Sequence, residues 1–245
     1  MFMYEKYIYR KKKTVWTDAD SAVRNIKKGK RVLIGSGCAE PQHLVHALVR
    51  NADYFRDNEV VHILTVGIAP YADPRYASNF RHNAFFIGHN IRESVLQGHS
   101  DYMPVFLSEI PRLFKTRQMP LHAVMIQVSP PDRKGFVSLG VSVDILPAAI
   151  ASADIVIAQV NRNMPETCGE ARIPLGCIDF LVEADEPLVD VRGDDVLAFE
   201  GTGREDLADR GAFEHLRPAP GEVDRDQGHC ASLLEVKSRS GRVPS

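Results

Sequence analysis

A glycine-rich stretch, Gly35-Ser36-Gly37-Cys38-Ala39-Glu40-Pro41, follows directly on the apolar run Arg31-Val-Leu-Ile34. Glycines remove the Cβ that keeps a ligand off the backbone, and the helix that the sequence starts next favours an anion at its amino end. Taken alone the stretch reads as a tight turn or as a place where the backbone could hold an anionic group. It is no dinucleotide fingerprint, because the spacing is not G-x-G-x-x-G and position 40 is Glu. Gln127, Gln159 and Asn161 stand at or just past the ends of two further apolar runs. An unpartnered amide there is costly, so each needs a neighbouring loop or a ligand. Asn90 stands at another run's exit, as a helix cap or as a ligand contact.

Other reactive types read as bystanders. His43 and His46 lie three apart on one helix but have no third ligand at a helpful spacing, so no metal site is expected. Cys168 has no legible His/Asp pairing, and Cys38, Cys168, Cys177 and Cys230 form no C-x-x-C pair. That usage suggests neither a zinc ribbon nor a disulfide framework, and a reducing cytosol fits it best. The basic run Arg10–Lys13 reads as a solvated turn, and its flanks carry no secretory signal.

The elements that must position these residues are those of an α/β fold. Ala123–Val128 and Asp154–Val160 are near-continuous apolar runs separated by a small-residue helical stretch, Val143–Ala153. That is the pattern of a βαβ crossover in a sheet covered on both faces. Further strands are expected at Arg31–Ile34, Val60–Val66, Ala84–Ile87 and Ile178–Val182. Helices are expected after the capping residues Thr17–Asp20 and over Glu40–Arg50, Ile91–Leu96 and Val105–Phe114. Asp132 and Gly135 read as turn residues between Val128 and Phe136. In open α/β sheets, ligands bind at the carboxyl ends of strands, where the polar candidates collect. With 44% hydrophobic and 25% charged residues and a formal charge of -2, the chain resembles neither a nucleic-acid binder nor a polybasic membrane protein. No run approaches the roughly 20 apolar residues of a membrane span.

The ordered string from Gln127-Val-Ser-Pro130 through Asp132, Gly135-Phe-Val-Ser-Leu-Gly140 and Val141-Ser-Val-Asp144 to Ile157-Ala-Gln-Val-Asn161 and Met164-Pro165 resembles the amino-terminal half of the acetyl-CoA hydrolase/transferase family. That family includes acetate and 4-hydroxybutyrate CoA-transferases, and the similarity runs more loosely from Arg31 to Leu188. The resemblance implies a mostly parallel sheet with helices on both faces, of the NagB/RpiA/CoA-transferase type. It also implies acyl-CoA:carboxylate CoA transfer or acetyl-CoA hydrolysis through a glutamyl-CoA thioester, with the CoA thioester as substrate and no other cofactor. It places the 35–41 loop near the cleft where acyl group and CoA meet, and Asn90 on the acyl side.

The family's glutamate and its main CoA-binding segment lie in a carboxyl-terminal half that this sequence does not reproduce. No catalytic residue is therefore assigned, and Glu200 in Phe199-Glu-Gly201 is a poor nucleophile candidate. The substrate-side candidates are Gly35, Ser36, Gly37, Cys38, Ala39, Glu40, Pro41, Asn90, Gln127 and Asn161. The expected organisation is a CoA-transferase-like domain over residues 1–188 and a poorly structured tail over 189–245, in which Glu222–Val236 vaguely resembles the helix introducing the second half. Partners expected are an acyl-CoA, a short carboxylate and a second-half subunit or a second copy, with no nucleic acid or membrane, in the cytoplasm. The competing expectation is a catalytically inactive truncated fragment or binding module of the same fold.

Overall fold

The computed structural model describes residues 12–190. They form one eight-stranded sheet in the order β1 (Val15–Trp16), β10 (Phe180–Glu183), β8 (Ile155–Val160), β6 (Ala123–Val128), β2 (Arg31–Ile34), β3 (Asn58–His62), β4 (Phe80–Ala84) and β5 (Ser100–Tyr102). Every neighbouring pair in it is parallel. A small antiparallel pair, β7 (Phe136–Ser138) with β9 (Arg172–Pro174), stands beside it.

The layers follow from the side-chain alternation of the strands. Val32, Ile34, Ala123, Met125 and Ile157 point to one face and bury the apolar stripes of α1 (Ala19–Val23) and α2 (Gln42–Arg50). Leu33, Val124, Ile126, Val128, Val156 and Ala158 point to the other, against α4 (Ile110–Lys115) and α5 (Leu146–Ser152). A strand buried on both faces must be apolar throughout, and all of β6 is buried. The expected mostly parallel sheet covered by helices is thus the fold found.

From β2 the chain steps outward through β3, β4 and β5, then crosses back to lay β6 against the other side of β2 and continues to β8 and β10. The topological switch point therefore lies between the carboxyl ends of β2 and β6. Ligands of open α/β sheets bind in the crevice outside such a point.

Several element boundaries differ from the sequence reading. β3 ends at His62, four residues before the expected Val66, and β4 runs from Phe80 to Ala84, ending where the strand expected over Ala84–Ile87 begins. Charged and polar residues such as Glu59, Arg81 and Asn83 sit on these outer strands, so apolar runs alone misplace them. The helix expected over Val105–Phe114 is confined to α4, and α2 starts only after Pro41. Lys12, read as part of a solvated turn, instead donates from Nζ to the Asp154 carbonyl at 2.8 Å and to Asp179 Oδ2 at 2.6 Å. Apart from Val189 and Asp190, the expected tail, with Glu200 and the 222–236 helix, lies outside the described residues.

Candidate active site

The 35–41 loop leaves β2 at the switch point and is pinned by its own backbone. Gly35 N–H donates to Met125 O at 2.8 Å and Gly37 N–H to Leu64 O at 2.9 Å. Ser36 Oγ accepts from the Ile63 N–H at 3.2 Å. These two glycine N–H groups, expected to approach a ligand, are thus spent on the neighbouring strand ends. Gly37 has φ +62°, a conformation that glycine adopts without cost. Gly37 and Cys38 are half-exposed, whereas Ser36, Ala39 and Glu40 are buried. The outward face of this loop is therefore the short turn at Gly37-Cys38, where Cys38 is a free thiol.

From this loop a hydrogen-bonded chain runs both ways along the carboxyl edge of the sheet. Towards β6, Gln127 Nε2 donates to the Glu40 carbonyl at 3.0 Å, and Asn161 Nδ2 donates to Gln127 Oε1. Asn161 also donates to the Glu186 carbonyl at 2.7 Å, beyond β10. Towards β3, Glu40 Oε2 accepts from Thr65 Oγ1 at 2.7 Å and from the Gly67 N–H at 3.3 Å. Asn90 Nδ2, after β4, closes the chain on the Gly67 carbonyl at 2.7 Å. The structure thus brings Glu40, Gln127, Asn161 and Asn90 into one network that follows the strands in their spatial order.

Gln127 and Asn161 are buried and partnered within the protein, and Asn90 is the exposed member. Gln159 belongs to the same edge: its Oε1 accepts from the His43 N–H at the start of α2, and its Nε2 donates to Glu186 Oε2 at 3.1 Å. His43 faces the Glu186 carboxylate at 3.5 Å, which gives that histidine a partner without any metal.

Thr65, Gln42 and Tyr71 were not singled out in the sequence, and Gly67 was read only as marking the exit of the Val60–Val66 strand. Their signal is weak, because Thr65 falls inside the run read as a strand and Tyr71 in a polar loop. Glu40 is 1% exposed, and burial pushes its carboxyl up to about 7, against the opposing bonds from Thr65 and Gly67. Its Oε1, Gln42 Nε2 and the Tyr71 hydroxyl are buried without a hydrogen bond to a described residue. Burial, reinforced by Glu40, holds the Tyr71 phenol well above its ordinary range.

Beside this edge a cavity of about 400 Å³ opens over β7, lined by Ser129, Arg133, Lys134, Glu166, Cys168 and Arg172 among others. Asp132 shapes its floor as expected of a turn residue, accepting from the Lys134 and Phe136 N–H groups at 2.8 and 2.9 Å. The Phe136 and Lys134 N–H groups, with the paired Arg172 adding to them, hold the Asp132 carboxyl below the usual range. No group of three or more His, Cys, Asp or Glu that could hold a metal occurs among the described residues.

An open parallel sheet with a polar network at its switch point places this chain among α/β proteins, in which ligands bind at such points. The model of the acetyl-CoA hydrolase/transferase N-terminal domain matches residues 3–191, and the chain belongs to that family. It is 41% identical over 218 residues to the 4-hydroxybutyrate coenzyme A transferase of Clostridium kluyveri, covering 89% of this chain and 45% of that protein. It is 36% identical to the succinyl-CoA:acetate/propanoyl-CoA:succinate CoA transferase of Fasciola hepatica, covering 70% and 36%. The chain therefore spans less than half the length of these relatives. Among solved structures, RipA from Yersinia pestis matches with TM-score 0.69 and 28% identity, over 72% of this chain and 44% of that one. The 4-hydroxybutyrate CoA-transferase of Porphyromonas gingivalis matches with TM-score 0.61 and 28% identity, over 77% and 42%.

Proposed function

We propose that this chain is the substrate-side half of an acyl-CoA:carboxylate CoA-transferase of the acetate or 4-hydroxybutyrate type, or of an acetyl-CoA hydrolase. The observation that carries the reading is the network at the switch point, on a chain that belongs to a family whose relatives are CoA transferases. In this reading the Gly37-Cys38 turn and Asn90 face the acyl group, while Gln127 and Asn161 fix the strand ends behind them.

The glutamate that attacks the thioester is supplied by a second half, either on a separate chain or on a longer polypeptide. Its carboxylate oxygen adds to the acyl carbonyl and CoA thiolate leaves; the thiolate then attacks the glutamyl carbonyl and releases the first carboxylate. A second carboxylate, or water in the hydrolase, reverses or ends the cycle. The substrates are an acyl-CoA and a short carboxylate, no further cofactor is required, and the reaction runs in the cytoplasm. Exposed large apolar residues, among them Ile68, Leu96 and Phe106, suit burial against the second half or a second copy. No helix among the described residues is long and apolar enough to cross a membrane.

The test is exchange of CoA from acetyl-CoA to a labelled short carboxylate by the purified chain, alone and with a second-half polypeptide from a family member. Activity only in the mixture is the expected result. Silence in both from a folded sample favours the competing reading, an inactive fragment or binding module of the same fold, which the coverage of less than half of each relative motivates.

A further inference from the structure

We propose that Glu40 is a positioning residue: shielded from substrate, its carboxyl fastens the loop after β3 to the loop after β2 and thereby sets the shape of the crevice edge. The proposal deepens the transfer reading and rests on it for the identity of the ligand, while the coupling between loops can be measured without any ligand.

The geometry carries it. Glu40 is 1% exposed, which removes it from the surface that Gly37, Cys38 and Asn90 present. Its main-chain carbonyl holds Gln127 of β6, and its side chain holds Thr65 and Gly67. Gly67 in turn holds Asn90. Gly35, Ser36 and Gly37 tie the same loop to Met125, Ile63 and Leu64, but Glu40 is the member of the 35–41 loop whose contacts reach on to Thr65 and Gly67, and so to the exposed side chain of Asn90 after β4. The Gln42 side chain of α2 also packs on this loop, where a Cβ on Gly67 would stand 2.1 Å from its Nε2.

A carboxyl is a poor choice for a purely mechanical role. Burying an ionised carboxylate without a cation is costly, and Glu40 has no ion-pair partner among the described residues. An amide of the same shape would avoid that cost. What the acid adds is a proton that can come and go, so the fastening responds to ionisation. The groups facing it are few. Tyr71, from the segment after β3, is the titratable one, and the His62–His82 pair of β3 and β4 stands behind its ring. Gln42 of α2, Gln127 of β6 and Asn90 are uncharged.

The experiment follows backbone amide resonances of the ¹⁵N-labelled full chain across neutral pH, for the wild type, Glu40→Gln and Glu40→Ala. In the wild type the Gly67 and Asn90 amides are expected to titrate together with a midpoint near the Glu40 value of about 7. Glu40→Gln should keep the loop resonances near their low-pH positions and abolish the titration. Glu40→Ala should displace Gly67, Asn90 and Gly37 together and speed exchange of the Gly67 N–H. Changes confined to residues 39–42, or a titration that survives in Glu40→Gln, overturn the proposal. If Glu40→Ala does not fold, the wild-type and Glu40→Gln titrations decide alone.

Acetyl-CoA is then added as the probe. Under the transfer reading, Glu40→Ala weakens binding by about tenfold or more while Glu40→Gln stays close to the wild type. Because the transfer reading puts the main CoA-binding segment in the second half, the probe is added with that half present: a mixture in which the chain shows the loop titration but acetyl-CoA is neither bound nor turned over refutes the transfer reading and leaves the coupling standing.

Discussion

Gly35 and Gly37 look equivalent in the sequence, and the backbone separates them. Gly37 sits at φ +62°, whereas a Cβ at Gly35 would meet only ordinary contacts near 3.5 Å. Gly37→Ala is expected to destabilise by about 1 kcal/mol, and Gly35→Ala by less than about 0.5 kcal/mol, measured by thermal unfolding. The pH response is also set by single residues. Burial lowers His82 from 6.5 to about 4, and burial with the neighbouring His82 holds His62 well below its ordinary range, so both stay neutral in the fold while the unfolded chain takes up protons. Their contribution to stability is complete above pH 6.5 and is lost as pH falls towards about 4. Glu40 acts in the opposite sense. Its value rises from 4.5 to about 7, so the contribution of its protonated form is complete below pH 4.5 and is lost as pH rises through 7. Between 4.5 and 6.5 the two trends oppose each other. Glu40→Gln removes one of them, so its urea midpoint should fall more steeply on acidification than that of the wild type, by up to about 3 kcal/mol over the window. An equal or shallower slope would show that Glu40 ionises as an ordinary exposed carboxylate. At this scale the sequence was informative wherever a polar residue ended an apolar run, as with Gln127, Asn161 and the 35–41 loop. It was silent on Thr65 and Tyr71, whose importance comes from a carboxyl brought to them by another strand.

The elements show the same division. β6 and β8 were legible because strands buried on both faces must be apolar throughout, and α1 was legible from Asp18, whose side chain caps it by accepting from the Ser21 N–H at 2.8 Å. β1, β5 and β9 were not, being two or three residues long with polar members whose pairing is decided by neighbours distant in sequence. The amide at the end of β6 gives this scale its test. Gln127→Leu is close in size but removes the donor to the Glu40 carbonyl and the acceptor for Asn161. It should destabilise by about 1–3 kcal/mol in chemical denaturation, as expected when buried polar groups lose their partners. A neutral result would mean that the carboxyl edge tolerates disconnection between β2 and β8.

In the whole molecule, the family's long ordered string marked the β6–β7–α5–β8 unit, whereas the strand order that places β6 beside β2 is a property of the folded sheet alone. That order has a kinetic consequence. The edge network joins Glu40 to Gln127 and His43 to Gln159 across 87 and 116 residues of chain, and neither link can form before the crossover from β5 back to β6 has closed. Contacts of such long sequence separation form late, since loop closure must precede them. The crevice edge is therefore completed among the last events of folding, and a nascent or partly folded chain presents its strand ends before the amides that will join them have met.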